Sequence, residues 1–265
     1  MARIRFTKWQ GTGNDFIVVD DHAGAFPVHD RELVTRLCDR HFGIGSDGLI
    51  LVQAPKHAGH AFHMDFLNPD GSRSFCGNGS RCAAAFQAEL SGLPEARFHF
   101  TAVDGEHTAA VAGGQVTIGM RDVAQVKRIN DTMDFIHTGS PHLVIWVPDP
   151  EQVDILPEAR FHRYNEHFRQ EGVNVNFVRW HNDRVEMRTY ERGVEDETLS
   201  CGTGVTAAAL SVMVRGLAGA RCAVHTRGGD LAVGATRIPD AGFTAITLAG
   251  PARKVFEGTV ESERP

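Results

Sequence analysis

The sequence predicts an α+β protein dominated by antiparallel hairpins, in two similar halves, with two helices suited to central positions. Three observations predict it. Strand-like runs follow one another through hairpin turn signals, without the regular rhythm of βαβ units. Two segments read as helices rich in small residues. One of their motifs is a repeat of the other, displaced by 125 residues in a chain of 265.

Taken in order, residues 3–9 and 15–20 read as strands, and 30–42 as a helix capped by Asp30 with Leu33, Leu37 and Cys38 on one face. Residues 48–53 and 61–68 are again strand-like. Asp104-Gly105, Gly113-Gly114 and Asn182-Asp183 mark three hairpins, and Gly228-Gly229 marks a further turn. The two small-residue helices are 77–90, with Ala83-Ala84-Ala85, and 202–215, with Ala207-Ala208-Ala209. Strings of alanine let other backbone approach closely, so both suit a central position with sheet curled around them. No Pro- or Ser-rich linker marks a boundary, and 122–130 is the best candidate.

The repeat sets Cys76-Gly77-Asn78-Gly79 against Cys201-Gly202-Thr203-Gly204, each opening one of those helices. A motif found twice at half-chain spacing points to duplication. The first N–H groups of a helix have no internal partner, and with the macrodipole they favour negative charge. A cysteine placed there has a stabilised thiolate, and the adjoining N–H groups form an anion site suited to a carboxylate. The glycines let the backbone turn tightly and approach a ligand. Inverting a carbon needs a base on one face and an acid on the other, and two such thiols can exchange those roles. Cys38, Cys82 and Cys222 lie on helix faces or in strand-like runs, and are read as packing.

Polar segments precede both cysteines. Asn68 ends a strand and can hydrogen-bond an amino or carboxylate group. Asp70-Gly71 alone reads as a plain turn. Before Cys201, Glu191 can accept from an ammonium, and Arg192 can clamp a carboxylate with its planar fork.

Composition sets limits on the rest. With 42% hydrophobic and 23% charged residues the chain has enough apolar material for a proper core. A net charge of -6 argues against a nucleic-acid or anionic-membrane surface. The N-terminus carries charge where a secretory signal needs an apolar run, and no stretch approaches the roughly 18 apolar residues of a membrane span. A cytoplasmic protein is expected. Its five cysteines are odd in number and should be free thiols there.

At these residues the sequence resembles the diaminopimelate epimerase family. The motifs are Gly11-Thr12-Gly13-Asn14-Asp15-Phe16, Gly43-Ile44-Gly45-Ser46-Asp47-Gly48, Asn68-Pro69-Asp70-Gly71-Ser72 and the run from Cys76 to Cys82. Gly139-Ser140-Pro141-His142, Asn174-Val175-Asn176-Phe177 and the stretch from Tyr190 to Gly204 complete the set, in family order over most of the chain. The resemblance implies conversion of LL-diaminopimelate to the meso form without pyridoxal phosphate or metal, feeding lysine and peptidoglycan synthesis. It implies Cys76 and Cys201 as the acid/base thiols, and substrate binding by Asn14, Asn68, Asn174, Glu191 and Arg192. Gly77-Asn78 and Gly202-Thr203 would hold the reacting carboxylate through backbone N–H groups, and His142 and Glu191 would modulate the thiols. It also implies an α+β fold of two pseudo-symmetric halves, each a mainly antiparallel sheet wrapped around a central helix, with the site in the cleft between them, and a homodimer. These halves are 1–128, carrying Cys76 and completed by a C-terminal strand at 251–265, and 129–250, carrying Cys201. Three positions depart from the family pattern. Ser140 stands where many members carry Asn, Gly48 where some carry Gln, and 193–198 is more acidic than the commonest form.

Other readings carry less. Residues 43–48 fit G-x-G-x-x-G, but follow a helix and precede a strand, the reverse of a dinucleotide site. His57, His60 and His63 lack a cysteine or carboxylate at ligand spacing. A proline-type racemase of the same fold predicts a different substrate range, whereas Glu191-Arg192 and the asparagines favour a long, doubly charged substrate. A thiol-disulfide protein predicts C-x-x-C, and Cys76 and Cys82 are spaced more widely. A non-catalytic amino-acid-binding protein would hold ligand without exchanging its α-proton.

Overall fold

The computed structural model describes residues 3–239 and 242–262. They form two compact units, one made of the residues up to Ile118 together with those from Gly250 onward, the other of Gly119–Ala249. The first contains β1 (Arg3–Gly11), β2 (Asn14–Asp21), α1 (Arg31–Cys38), β3 (Gly48–Gln53), β4 (Phe62–Leu67), α2 (Gly77–Leu90), β5 (Ala96–Ala102), β6 (Gly105–Ala112) and β7 (Gln115–Gly119). The second contains β8 (Val126–Asn130), β9 (Met133–His137), β10 (Pro141–Trp146), α3 (Ile155–Arg163), β11 (Asn174–His181), β12 (Arg184–Glu191), the short β13 (Asp196–Thr198), α4 (Gly202–Val214), β14 (Arg221–Thr226), β15 (Gly229–Ile238) and β16 (Gly242–Pro251). Strand β17 (Arg253–Glu261) then returns to the first unit and pairs antiparallel with β1.

The topology is the same in both units. In the first, β1 and β2 form a hairpin, β2 runs parallel to β3, β3 antiparallel to β4, and β4 parallel to β5, with β6 and β7 completing a meander. In the second, β9 and β10 are antiparallel, β10 is parallel to β11, β11 antiparallel to β12, and β12 parallel to β14, followed by the hairpin with β15 and then β16. Helices α1 and α3 occupy the first parallel crossover of their units, and α2 and α4 occupy the second. Even the outer strand recurs, β17 beside β1 and β8 beside β9.

In each unit the central strands are covered on both faces, which is why they read as continuous apolar runs. In Phe16-Ile17-Val18-Val19, Phe16 and Val18 pack with Ala83, Ala84 and Phe86 of α2. Ile17 and Val19 point the other way, to Leu33, Val34 and Leu37 of α1. The second unit repeats this. Val144, Val178 and Met187 pack with Ala207–Ala209 of α4, while Leu143, Ile145, Val175 and Phe177 meet Ile155 and Ala159 of α3. Helix α4 is buried over nearly its whole length, so its apolar residues run all the way round.

Three boundaries differ from the sequence reading. Helix α1 is capped by Asp30, whose side chain accepts from Leu33 N, but stops at Cys38 rather than at residue 42. Asp39 takes extended geometry and its carboxylate accepts from the N–H groups of His41 and Phe42, a local alternative to further helix. The chain divides between Ile118 and Gly119, ahead of residue 128. Within the proposed linker, Asp122 accepts from Thr244 and the Ala245 N–H, and 126–130 forms β8, so the segment is docked structure.

Candidate active site

Cys76 is the N-cap of α2, with extended geometry (φ -133, ψ 111), and its Sγ accepts from Gly79 N at 3.4 Å. The β1–β2 turn, with Thr12 at φ 53 and Gly13 at φ 84, delivers Asn14 to this position. Asn14 Oδ1 lies 3.8 Å from Cys76 Sγ and accepts from Asn78 Nδ2 at 3.4 Å. Asn14 Nδ2 donates to Asp47, which also accepts from Asp15 N and Arg40. Burial would raise the Asp15 carboxyl, but hydrogen bonds from Arg40 and Lys8 outweigh it and hold the group down at about 2. Asp15 is therefore a fixed anion behind the turn.

Arg81 underlies the same turn. It is fully buried on α2, donating from Nη2 to Thr12 Oγ1 at 3.0 Å and from Nε to the Pro251 carbonyl. Its Nη1 finds no partner among the described residues. Burial lowers its pKa, yet guanidinium still keeps its proton throughout the working range. It brings a buried positive charge to the helix that Cys76 heads.

Cys201 is the N-cap of α4, again extended (φ -117, ψ 113), and is 8% exposed. Its Sγ lies 3.4 Å from Thr203 Oγ1. Behind it stand the starts of two parallel strands, with His142, the second residue of β10, paired to Asn174, the first of β11. His142 Nε2 is 2.9 Å from both Ser140 Oγ and Thr203 Oγ1. Complete burial, aided by electrostatic repulsion from the His137 and Arg192 side chains, pushes the imidazole down to about 3, so it is neutral at physiological pH.

The other predicted residues divide between the two units. Asn174 donates to Ser140 Oγ and the Pro141 carbonyl and accepts from Arg192 N, so its amide fixes the backbone at Arg192. Arg192 Nη1 donates to the Glu171 carbonyl at 2.7 Å, and Glu191 Oε2 accepts from Thr198. In the first unit, the Asn68 amide donates to Ser72 and Ser74 within its own turn. Gly77-Asn78 and Gly202-Thr203 open the two helices.

Sequence reasoning missed Arg81, Asn176 and Thr189. The signal for Asn176 was present, because Asn174 and Asn176 alternate with Val175 and Phe177 at the start of a strand and therefore share a face. Asn176 Oδ1 accepts from Thr189 Oγ1 at 3.0 Å. The second glycine of each motif has a spatial reason as well. A Cβ on Gly204 would sit 2.5 Å from Asn176 Oδ1, and one on Gly79 3.2 Å from Ile50 Cδ1.

A family model described as Diaminopimelate epimerase matches residues 6–131 and 135–255. The chain belongs to the diaminopimelate epimerase family. The family assignment makes it an isomerase. It is 40% identical to the diaminopimelate epimerase of Flavobacterium psychrophilum, over 97% of this chain and 100% of the relative. It is 37% identical to that of Aquifex aeolicus, over 98% and 99%. Among solved structures, a PhzF-family phenazine biosynthesis protein from Enterococcus faecalis superposes with a TM-score of 0.74 at 12% identity, covering 98% of this chain and 100% of that one. A hydroxyproline epimerase from Agrobacterium vitis, solved with trans-4-hydroxy-L-proline, gives 0.70 at 16% identity, over 97% and 92%. These likenesses show the fold that diaminopimelate epimerases share with wider relatives.

Proposed function

We propose that this member of the diaminopimelate epimerase family interconverts LL- and meso-diaminopimelate by a two-thiol mechanism in which Cys76 and Cys201 act on opposite faces of one α-carbon. The observation that carries the reading is the repeated geometry. Two cysteines are extended N-caps of helices opening Gly-x-Gly, in units of the same topology. One thiolate removes the α-proton, and the other thiol returns a proton from the opposite side. The thiol that has given its proton is then the base for the reverse reaction. The α-proton of an amino acid is weakly acidic, so the step needs strong stabilisation of the charge that moves onto the carboxylate. Backbone N–H groups of Gly77-Asn78 and Gly202-Thr203 serve as that preorganised anion site. Glu191 accepts from the substrate ammonium, Arg192 clamps a carboxylate, and Asn14, Asn68 and Asn174 fix the remaining polar groups. The reaction as written needs neither metal nor pyridoxal phosphate. Reacting groups that must stay reduced suit the cytoplasm, and a homodimer is the proposed assembly, tested by sedimentation.

Nuclear magnetic resonance of LL-diaminopimelate in D₂O, with reduced protein and no added cofactor, tests the reading. Meso product deuterated at the inverted carbon, with early unreacted substrate still protiated, is expected. Cys76→Ala and Cys201→Ala should each lose at least ~10³-fold in turnover, the scale of acid–base catalysis. Full activity in either variant would remove the pair. No exchange by folded, reduced protein would remove the substrate, and a proline-type panel would follow.

A further inference from the structure

We propose that Asn176 fixes the tautomer of His142 and so turns the Thr203 hydroxyl toward Cys201 Sγ, making Asn176 the positioning residue of the second thiol. The inference rests on the reading of Cys201 as an acid/base group, and extends it to a residue that does not touch substrate.

The orientation of the Asn176 amide follows from its partners. Its Nδ2 lies 3.1 Å from the Leu143 carbonyl, which can only accept, and its Oδ1 receives the Thr189 hydroxyl. The second Nδ2 proton then faces His142 Nδ1 at 3.2 Å. A ring nitrogen that receives a proton must be bare, so the single proton of the neutral imidazole sits on Nε2. The ring has no other stable state here, because burial with His137 and Arg192 nearby disfavours the imidazolium.

From Nε2 the protons run one way. Nε2 faces the Ser140 and Thr203 hydroxyls, which are 3.2 Å from each other. Asn174 Nδ2 also donates to Ser140 Oγ, and its own orientation is set by the Pro141 carbonyl and Arg192 N. Ser140 therefore receives and passes its proton on to Thr203, since Nε2 cannot accept. Whether Nε2 donates to Thr203 directly or through Ser140, the Thr203 proton is left for Cys201 Sγ at 3.4 Å. A hydroxyl donating to sulfur stabilises thiolate over thiol. The opposite tautomer would draw a hydroxyl proton back to Nε2 and reverse the sequence. Gly204 holds the amide in place, because the helix backbone lies directly against Asn176 Oδ1 with no room for a side chain.

The test uses the whole ¹⁵N-labelled, reduced protein at pH 7. Long-range ¹H–¹⁵N spectra, with the His142 ring assigned by its loss in His142→Gln, should show Nδ1 bare and Nε2 protonated. Asn176→Leu, similar in size but without a donor, should give a mixture of tautomers. In a Cys76→Ser background, iodoacetamide labelling of Cys201, followed on its peptide by mass spectrometry, should slow about tenfold in Asn176→Leu and Thr203→Val, equivalent to one pKa unit. Thr203→Ser should retain the fast rate. Wild-type protein with Nδ1 protonated would overturn the proposal. So would an unchanged tautomer in folded Asn176→Leu, or wild-type labelling in Thr203→Val. If Asn176→Leu does not fold, the wild-type ring state and the Thr203 pair decide. All these readouts use resting enzyme, so failure of diaminopimelate to exchange would count against the function without moving them.

Discussion

His142 shows how one residue ties the site to stability. Its folded-state value of about 3 lies below the ordinary 6.5. The unfolded chain therefore binds a proton at a pH where the native protein does not. Native stability from this group is complete above about pH 6.5 and is lost as pH falls toward 3, at up to about 1.4 kcal/mol per pH unit. His63 and His162, also shifted down by burial, act in the same direction. Asp15 contributes later, between its ordinary 3.8 and about 2. Melting temperature should fall steadily between pH 6.5 and 4, and less steeply in His142→Gln. Equal slopes would place the sensitivity elsewhere. The cysteine motif at this scale was legible because it recurs, whereas Arg81 was not, and Asn176 was legible only as sharing a strand face with Asn174. A buried polar residue gets its meaning from partners distant in sequence, such as Thr12 for Arg81 and Thr189 for Asn176.

At the scale of elements, the two Cys-headed helices carry the proposed chemistry, and glycine sets how closely other parts approach them. The pair of second glycines gives a graded expectation. Gly204→Ala pushes a methyl against the Asn176 amide at 2.5 Å, with helix backbone unable to retreat. Gly79→Ala is tight only against the flexible end of Ile50 at 3.2 Å, and touches Cys76 Cβ and Sγ at ordinary contact distances of 3.4 and 3.5 Å. Urea unfolding should show a loss of about 1–3 kcal/mol for Gly204→Ala and less for Gly79→Ala, with the larger loss of turnover also at 204. The reverse order would contradict the packing described around α4. Most elements were legible because their signals are local. Asp30 caps α1, and Asn182-Asp183 supplies two positive φ angles for the β11–β12 hairpin. The end of α1 was not, since helical periodicity in 39–42 competes with Asp39 bonding its own neighbours.

Across the whole molecule, duplication was legible from ten residues in each half, while the point of division was not. Composition gives no linker at 118–119 because the segment that follows it is structured within the second unit. The first unit is the discontinuous one, and β17 pairs with β1 from Arg3 to Gln10. Deleting the chain after residue 252 should expose that edge and the Phe6 ring against which Phe256 packs edge-on, at 5.9 Å. The truncated protein is expected to aggregate or to lose cooperative melting of one unit, as read by calorimetry. Unchanged two-unit melting would show β17 to be dispensable. The same return of the chain orders events at the ribosome. The second unit emerges as one uninterrupted stretch, so it can fold while synthesis continues. The unit that is made first must keep the β1 edge bare until β17 has left the exit tunnel, and through that interval its backbone is open to pairing with other chains.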